Sequence, residues 1–66
     1  MNFSVGDVVV ITDGKNTALS HIDGVRRGHL RVGYLLFDWC GNEVDTISPV
    51  FRIYPLKENV NIKITT

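Results

Sequence analysis

Three arginines, Arg26, Arg27 and Arg31, stand close together in the segment HIDGVRRGHLR, flanked by His21 and His29 and preceded by Lys15. A guanidinium presents its N–H donors in a rigid planar fork, which suits it to carboxylates and phosphates. Only Asp13 and Asp23 dilute this segment, whereas Asp38, Glu43 and Asp45 gather around a later turn. The chemistry implied is recognition of an anionic group by side chains that a scaffold positions and leaves free. The same residues also suit a solvated loop whose arginines serve solubility.

A second cluster is the stretch FRIYP, residues 51–55. Alternation along a strand puts Phe51 and Ile53 on one face and Arg52 and Tyr54 on the other. One reading packs Phe51 and Ile53 into the core, with Tyr54 capping its end. The other gives Arg52 and Tyr54 a ligand-facing surface, because a guanidinium fork and a phenol ring both hold planar partners. Trp39, at the end of a candidate strand, serves either to cover the mouth of the fold or to offer a stacking face. The candidate binding set is therefore Lys15, Arg26, Arg27, Arg31, Trp39, Arg52 and Tyr54.

Other chemistry finds little footing. His21, His29 and Cys40 lack the paired spacing of a zinc site. Cys40 is the single cysteine, so it forms no internal disulfide. Beside Trp39, it reads as a buried or half-buried small residue with no base near it in sequence. No glycine-rich phosphate loop leads into a helix. No catalytic residue, metal or cofactor is expected.

The elements that position these residues are short. A chain of 66 residues, with 44% hydrophobic and 21% charged composition, has the make-up of one globular domain, residues 1–66, with a small core. No stretch keeps a helical period for three turns, and apolar residues cluster between turn formers. DVVVIT (residues 7–12) is β-branched almost throughout and reads as a first strand, its register open by one residue. Residues 13–28, with three glycines, read as a long excursive loop with room for a loosely paired hairpin. HLRVGYLLFDW (residues 29–39) is the longest strand candidate, with Leu30, Val32, Tyr34 and Leu36 on one face and Arg31, Gly33, Leu35 and Phe37 on the other. Gly33 in its middle marks a bend or a close backbone approach. EVDTIS (43–48), VFRIY (50–54, ended by Pro55) and NVNIKIT (59–65) complete the set. Val8, Val10, Leu30, Val32, Leu36, Ile53, Val60 and Ile62 are the expected core.

Five short strands, a long loop after the first and a proline turn before the last are how small SH3-like β-barrels are built. The opening FSVGDVVVI resembles the starts of SH3-like, KOW and Tudor-type barrels. A further resemblance is to plasmid-borne type II dihydrofolate reductases, SH3-like barrels that assemble as tetramers around a pore. Phe3, Gly6, Asp7 and Val9 follow their opening, and a Gly-x-x-Tyr-like second strand follows in outline. Phe51 to Pro55 stand where that family has Val-Gln-Ile-Tyr and proline. Ile53 and Tyr54 match; Arg52 replaces the glutamine, and Ile11 replaces a lysine late in the first strand. A glutamine both donates and accepts hydrogen bonds, whereas Arg52 only donates, and arginines repeated around one pore repel.

The expected function is a non-enzymatic binding or regulatory module that contacts a protein partner through the basic loop and the aromatic strand ends. A nucleic-acid-binding barrel is the alternative, and a reductase-like enzyme the second. Seven basic against seven acidic residues favour the protein partner, since polyanion binders carry a basic excess. Leu35 and Phe37, on the face opposite Leu30 and Val32, suggest a sticky strip and hence a homo-oligomer. The N-terminus lacks a basic start with an apolar run behind it, so a cytoplasmic protein without membrane contact is expected. In size the chain resembles stand-alone accessory proteins of phages, plasmids or bacteria. Purified protein mixed with dihydrofolate and NADPH is expected to show no absorbance loss above background; turnover that disappears in Tyr54→Phe would make the reductase the function.

Overall fold

A computed structural model describes residues 3–56 of the chain. The fold is all-β, with seven short antiparallel strands in two sheets. They are β1 (Val8–Thr12), β2 (Thr17–His21), β3 (Gly24–Arg26), β4 (His29–Val32), β5 (Leu35–Phe37), β6 (Glu43–Val44) and β7 (Arg52–Pro55). One sheet has the order β2-β1-β7 and the other β3-β4-β5-β6.

The chain enters β1 through a tight turn in which Asp7 N–H donates to the Ser4 carbonyl at 3.0 Å. Gly6 takes φ +94 there, a conformation that side chains rarely adopt. Phe3, just ahead of the turn, is buried in the core. β1 is β-branched throughout and pairs on both sides, with β2 and with β7. β2 and β3 are separated only by Ile22 and Asp23, where the chain bends from one sheet into the other. Ile22 N–H donates to the Asp7 carbonyl at 2.9 Å, while the next amide, Asp23 N–H, donates to the Arg31 carbonyl at 2.8 Å.

Phe3, Val9, Ile22, Leu30, Val32, Phe37 and Ile53 form one buried cluster, with Ile11, Leu35 and Phe51 packed against it. Each large apolar side chain removed from water contributes on the order of 1.5–3 kcal/mol, so these few residues carry most of the hydrophobic stabilisation. On the far side the sheets meet through an isolated bridge, Asn42 to Arg52, beside which Ile53 N–H donates to the Gly41 carbonyl at 2.8 Å. Among the described residues the architecture is thus two sheets, and no closed barrel is present.

Several sequence expectations need correction. The supposed loop 13–28 contains β2, paired with β1 over its whole length, and β3, paired with β4. Asp13 makes the first reversal, its carboxylate accepting from Lys15 N–H at 2.9 Å and Asn16 N–H at 2.8 Å. The long strand 29–39 is a hairpin: Val32 faces Leu35 across a two-residue turn, with Gly33 at φ +61. Crossing such a turn reverses the parity of the side chains. Phe37 therefore shares the core face with Leu30 and is fully buried, and Leu35 packs on the core as well. The sticky strip assigned to this pair does not exist, and Tyr34 is fully exposed instead of facing inward.

In β1 the buried residue is Val9, at 0% exposure, while Val8 is 47% exposed. The bonds joining Asp7 to the inward-pointing Ile22 settle that parity. Val10 is also buried, but on the other face, between Leu19 and Tyr54 in register. The third strand stops at Val44, because Asp45 turns to φ +62. Pro55 does not stop β7 from outside but is its last residue, opposite Val9. The strand expected over 59–65, with Val60 and Ile62, lies outside the described residues. No helix among the described residues is long and apolar enough to cross a membrane.

Gly41 is buried at φ +93, and a β-carbon there would fall well inside contact distance of the Ile53 carbonyl oxygen. Gly14, at φ +96, has nothing near its missing side chain. Gly41→Ala is expected to cost about 3 kcal/mol or more, and Gly14→Ala about 1 kcal/mol. Urea denaturation followed by circular dichroism measures both, and equal losses would show that close packing at Gly41 does not hold the two sheets in register.

Candidate functional site

The outer face of the four-stranded sheet carries a groove of about 810 Å³. Its floor follows from register. Gly24 lies opposite Arg31, Arg31 opposite Leu36, and Leu36 opposite Val44, a row that crosses all four strands on one face. Arg31 lies along the bare backbone of Gly24, whose absent β-carbon would sit 3.5 Å from Arg31 Nη2. It also stands 3.9 Å from the Asp23 carboxylate, an exposed pair of small energetic weight.

The walls are the two edges of the sheet. Arg26 ends β3, and Arg27 occupies the turn to β4; Glu43 and Val44 form β6, and Asp45 and Thr46 follow it. Tyr34 rises from the β4–β5 turn at the rim. Basic and acidic groups thus stand at diagonal corners of a floor that includes Leu36 and Val44: Arg26 pairs with His29 toward one end of the sheet, and Asp45 follows Val44 toward the other.

The β3–β4 connection is a two-residue turn with Arg27 at φ +54 and Gly28 at φ +79. A hairpin of this kind needs positive φ at both central positions, which favours asparagine and glycine. An arginine there costs about 1–2 kcal/mol of backbone strain. The turn is held from outside: the Trp39 indole N–H donates to the Gly28 carbonyl at 2.7 Å. Among the described residues, Arg27 and Asp45 are the non-glycine positions with positive φ, and both line this groove.

The charges differ in how far they are already engaged. Glu43 Oε1 accepts from Val50 N–H at 3.0 Å and from Phe51 N–H at 3.1 Å. The side chains of Arg26, Arg27 and Asp45 make no hydrogen bond or ion pair among the described residues. They are the free charged groups of the walls.

The predicted binding residues fall into two places. Arg26, Arg27 and Arg31 come together in the groove. Arg52 and Tyr54 lie on the outer face of the other sheet, with the guanidinium 5.6 Å from the ring centroid, close enough for a cation–π contact. Phe51 and Ile53 take the opposite face, packed on or in the core, as their alternation implies. Lys15 sits in the β1–β2 turn, at the end of the sheet where Thr12 pairs with Arg52. Trp39 touches the groove only through the turn that it clamps.

Sequence reasoning missed Tyr34, Leu36, Val44 and Asp45 as groove residues. A readable signal was Gly33–Tyr34 as a two-residue reversal. Cys40 is exposed, not buried, and its surroundings are a turn: Asp38 Oδ1 accepts from Cys40 N–H and Asn42 N–H, both at 2.9 Å. No group of three potential metal-ligating side chains occurs among the described residues.

Three aspartates serve as turn acceptors and are held below the ordinary carboxylate value of 3.8. For Asp23 the main cause is the Gly33 N–H, which donates to it at 2.5 Å, helped by His21, whose Nε2 is 2.8 Å away, and by Arg31. For Asp38 it is the Asn42 N–H, with Cys40 N–H next among the groups that lower it. For Asp13 it is the Asn16 N–H and then Lys15 N–H.

No protein-family model matches the chain, and neither curated proteins nor solved structures yielded a similar protein.

A carboxyl whose folded value is depressed contributes stability above its unfolded value and loses it as pH falls through the folded one. Stability is therefore expected to decline on acidification from about pH 5 downward. Asp38→Asn keeps an acceptor for the turn but removes the charge, so its urea midpoint should fall less steeply with pH than the parent's. An identical slope would show that the charge on Asp38 has no part in holding the turn.

Proposed function

We propose that this chain is a non-enzymatic binding module that holds an extended segment of a protein partner in the groove across its four-stranded sheet. The observation that carries the reading is the mixed charge of the groove, with the unengaged side chains of Arg26 and Arg27 at one corner and that of Asp45 at the diagonal one. Polypeptides carry both signs of charge and apolar side chains between them. A nucleic acid offers a uniformly negative backbone, which the Glu43–Asp45 wall would repel. The chain's zero net charge agrees with this choice. The groove also has the usual composition of an interface, with an apolar floor, arginine and an exposed tyrosine.

An SH3-like fold belongs to the same reading. It is supported by the bent β2–β3 stretch that serves both sheets and by the Asn42–Arg52 bridge that links them on the other side. The protein is read as cytoplasmic, where the lone exposed Cys40 stays reduced.

The test is capture from a lysate of the native host with the tagged chain, beside a variant with Arg26→Ala and Arg27→Ala. The variant is expected to keep its fold within about half a kcal/mol, as surface changes do. It should lose about tenfold or more in affinity for a purified captured protein, with a shallow salt dependence in both forms. Recovery of nucleic acid instead, with a steep salt slope that drops by about two in the variant, would replace the protein partner.

A further inference from the structure

We infer that the open edge of β2 is a self-association surface, where two copies of this chain pair β2 against β2 in antiparallel order about a two-fold axis at Leu19. The surface belongs to the three-stranded sheet and shares no residue with the groove. The inference therefore stands without the protein-binding reading.

Two bonds bracket β2 and fix which way its backbone faces. At one end the Asn16 carbonyl accepts from Asp13 N–H at 3.2 Å, and at the other Ile22 N–H donates to the Asp7 carbonyl at 2.9 Å. Both point toward β1. Backbone groups alternate in direction along a strand, so those of Ala18 and Ser20 turn to β1 as well. Those of Thr17, Leu19 and His21 then turn to the opposite edge, where no described strand lies. A second β2 laid antiparallel on that edge must set these residues against one another. Centring on Leu19 pairs the whole strand, Leu19 with Leu19 and Thr17 with His21, and each such pair exchanges both its N–H and its C=O bonds.

Proteins blunt their sheet edges with brevity, charge, proline or a bulge. The other edges here are blunted in those ways. β6 has two residues and gives way to Asp45 at φ +62, and β3 has three and ends in Arg26. The outer side of β7 is met by the Gly41 carbonyl, and the strand closes with Pro55. β2 has five residues, with no proline, lysine, arginine or carboxylate, and pairs with β1 one to one without a bulge. Its side chains suit a copy of itself. Leu19 is 52% exposed, on the face that also holds Val10. Side chains directly opposite in an antiparallel pair lie close enough to touch, so two leucines that water surrounds in single chains would cover each other. Lys15 precedes β2 and Asp23 follows it, so antiparallel order sets the basic end of one copy beside the acidic end of the other. With no net charge, two copies meet no long-range repulsion.

The experiment is sedimentation equilibrium of the full chain, from about 10 μM to about 1 mM. Five strand residues a side are far fewer than the roughly 20–30 of a standard interface, so half-dimerisation at roughly 0.1 mM is expected. Leu19→Lys and Leu19→Glu each set like charges face to face, and each alone is expected to weaken the dimer about tenfold or more. Circular dichroism should show both folded, since the parent side chain is half exposed. Mixed in equal amounts, the two variants are expected to dimerise again as a lysine–glutamate pair. Leu19→Pro removes an edge-facing N–H, a place where a strand tolerates proline, and is expected to be monomeric; should it fail to fold, the charge pair decides alone. A parent that stays monomeric at about 1 mM overturns the inference. So does a dimer that the single charges leave intact, or one that the mixture does not restore. If the parent is monomeric and Leu19→Pro abolishes capture of the host protein, the edge takes a foreign strand and not a second copy.

Discussion

The structure depends on one change of direction, at Ile22 and Asp23. Two consecutive amides there donate to carbonyls in different sheets, Asp7 in one and Arg31 in the other. An edge stretch that served one sheet would leave the second without a neighbour and the core open on that side. The Ile22 side chain fills the inside of the corner, at 1% exposure. Asp23 reaches outward from the same corner and accepts the Gly33 amide, so the turn bearing Tyr34 is tied to the point where the sheets join. For a chain with so small a core, these directional bonds fix a geometry that apolar burial alone leaves loose.

How much of this was legible in the sequence varies by element. β1 is written plainly, since a run of β-branched residues after Gly-Asp suits little else. Its register was not, because three adjacent valines offer no contrast between faces. The hairpin of β4 and β5 was concealed by its own regularity. Alternation continues through Gly33 and Tyr34 as though the strand were straight, and the reversal swaps the faces beyond it. β2 was hidden for the opposite reason: Ala18 and Ser20, which face Ile11 and Val9, are small residues that look like loop. The arginines of the site were visible as a cluster in the chain. Their acidic counterpart was not, because only the strand order brings β3 and β6 to the two sides of one groove.

Net charge conceals this arrangement. Balanced totals describe the chain from a distance beyond the screening length, about 8 Å at physiological ionic strength. Inside the groove the two signs are sorted by sheet edge, so a ligand meets a strong local field from a molecule that is neutral overall. Long-range steering is weak in such a design, and selection acts at contact.

Trp39 is the chain's single tryptophan, and its indole N–H is bonded to the carbonyl next to Arg27. The fold thereby carries an optical gauge at the arginine wall. Indole emission responds to the loss of a hydrogen bond and to the polarity around the ring, and no other tryptophan contributes a background. Any event that lifts or tightens the β3–β4 turn is written into the colour of the unlabelled protein.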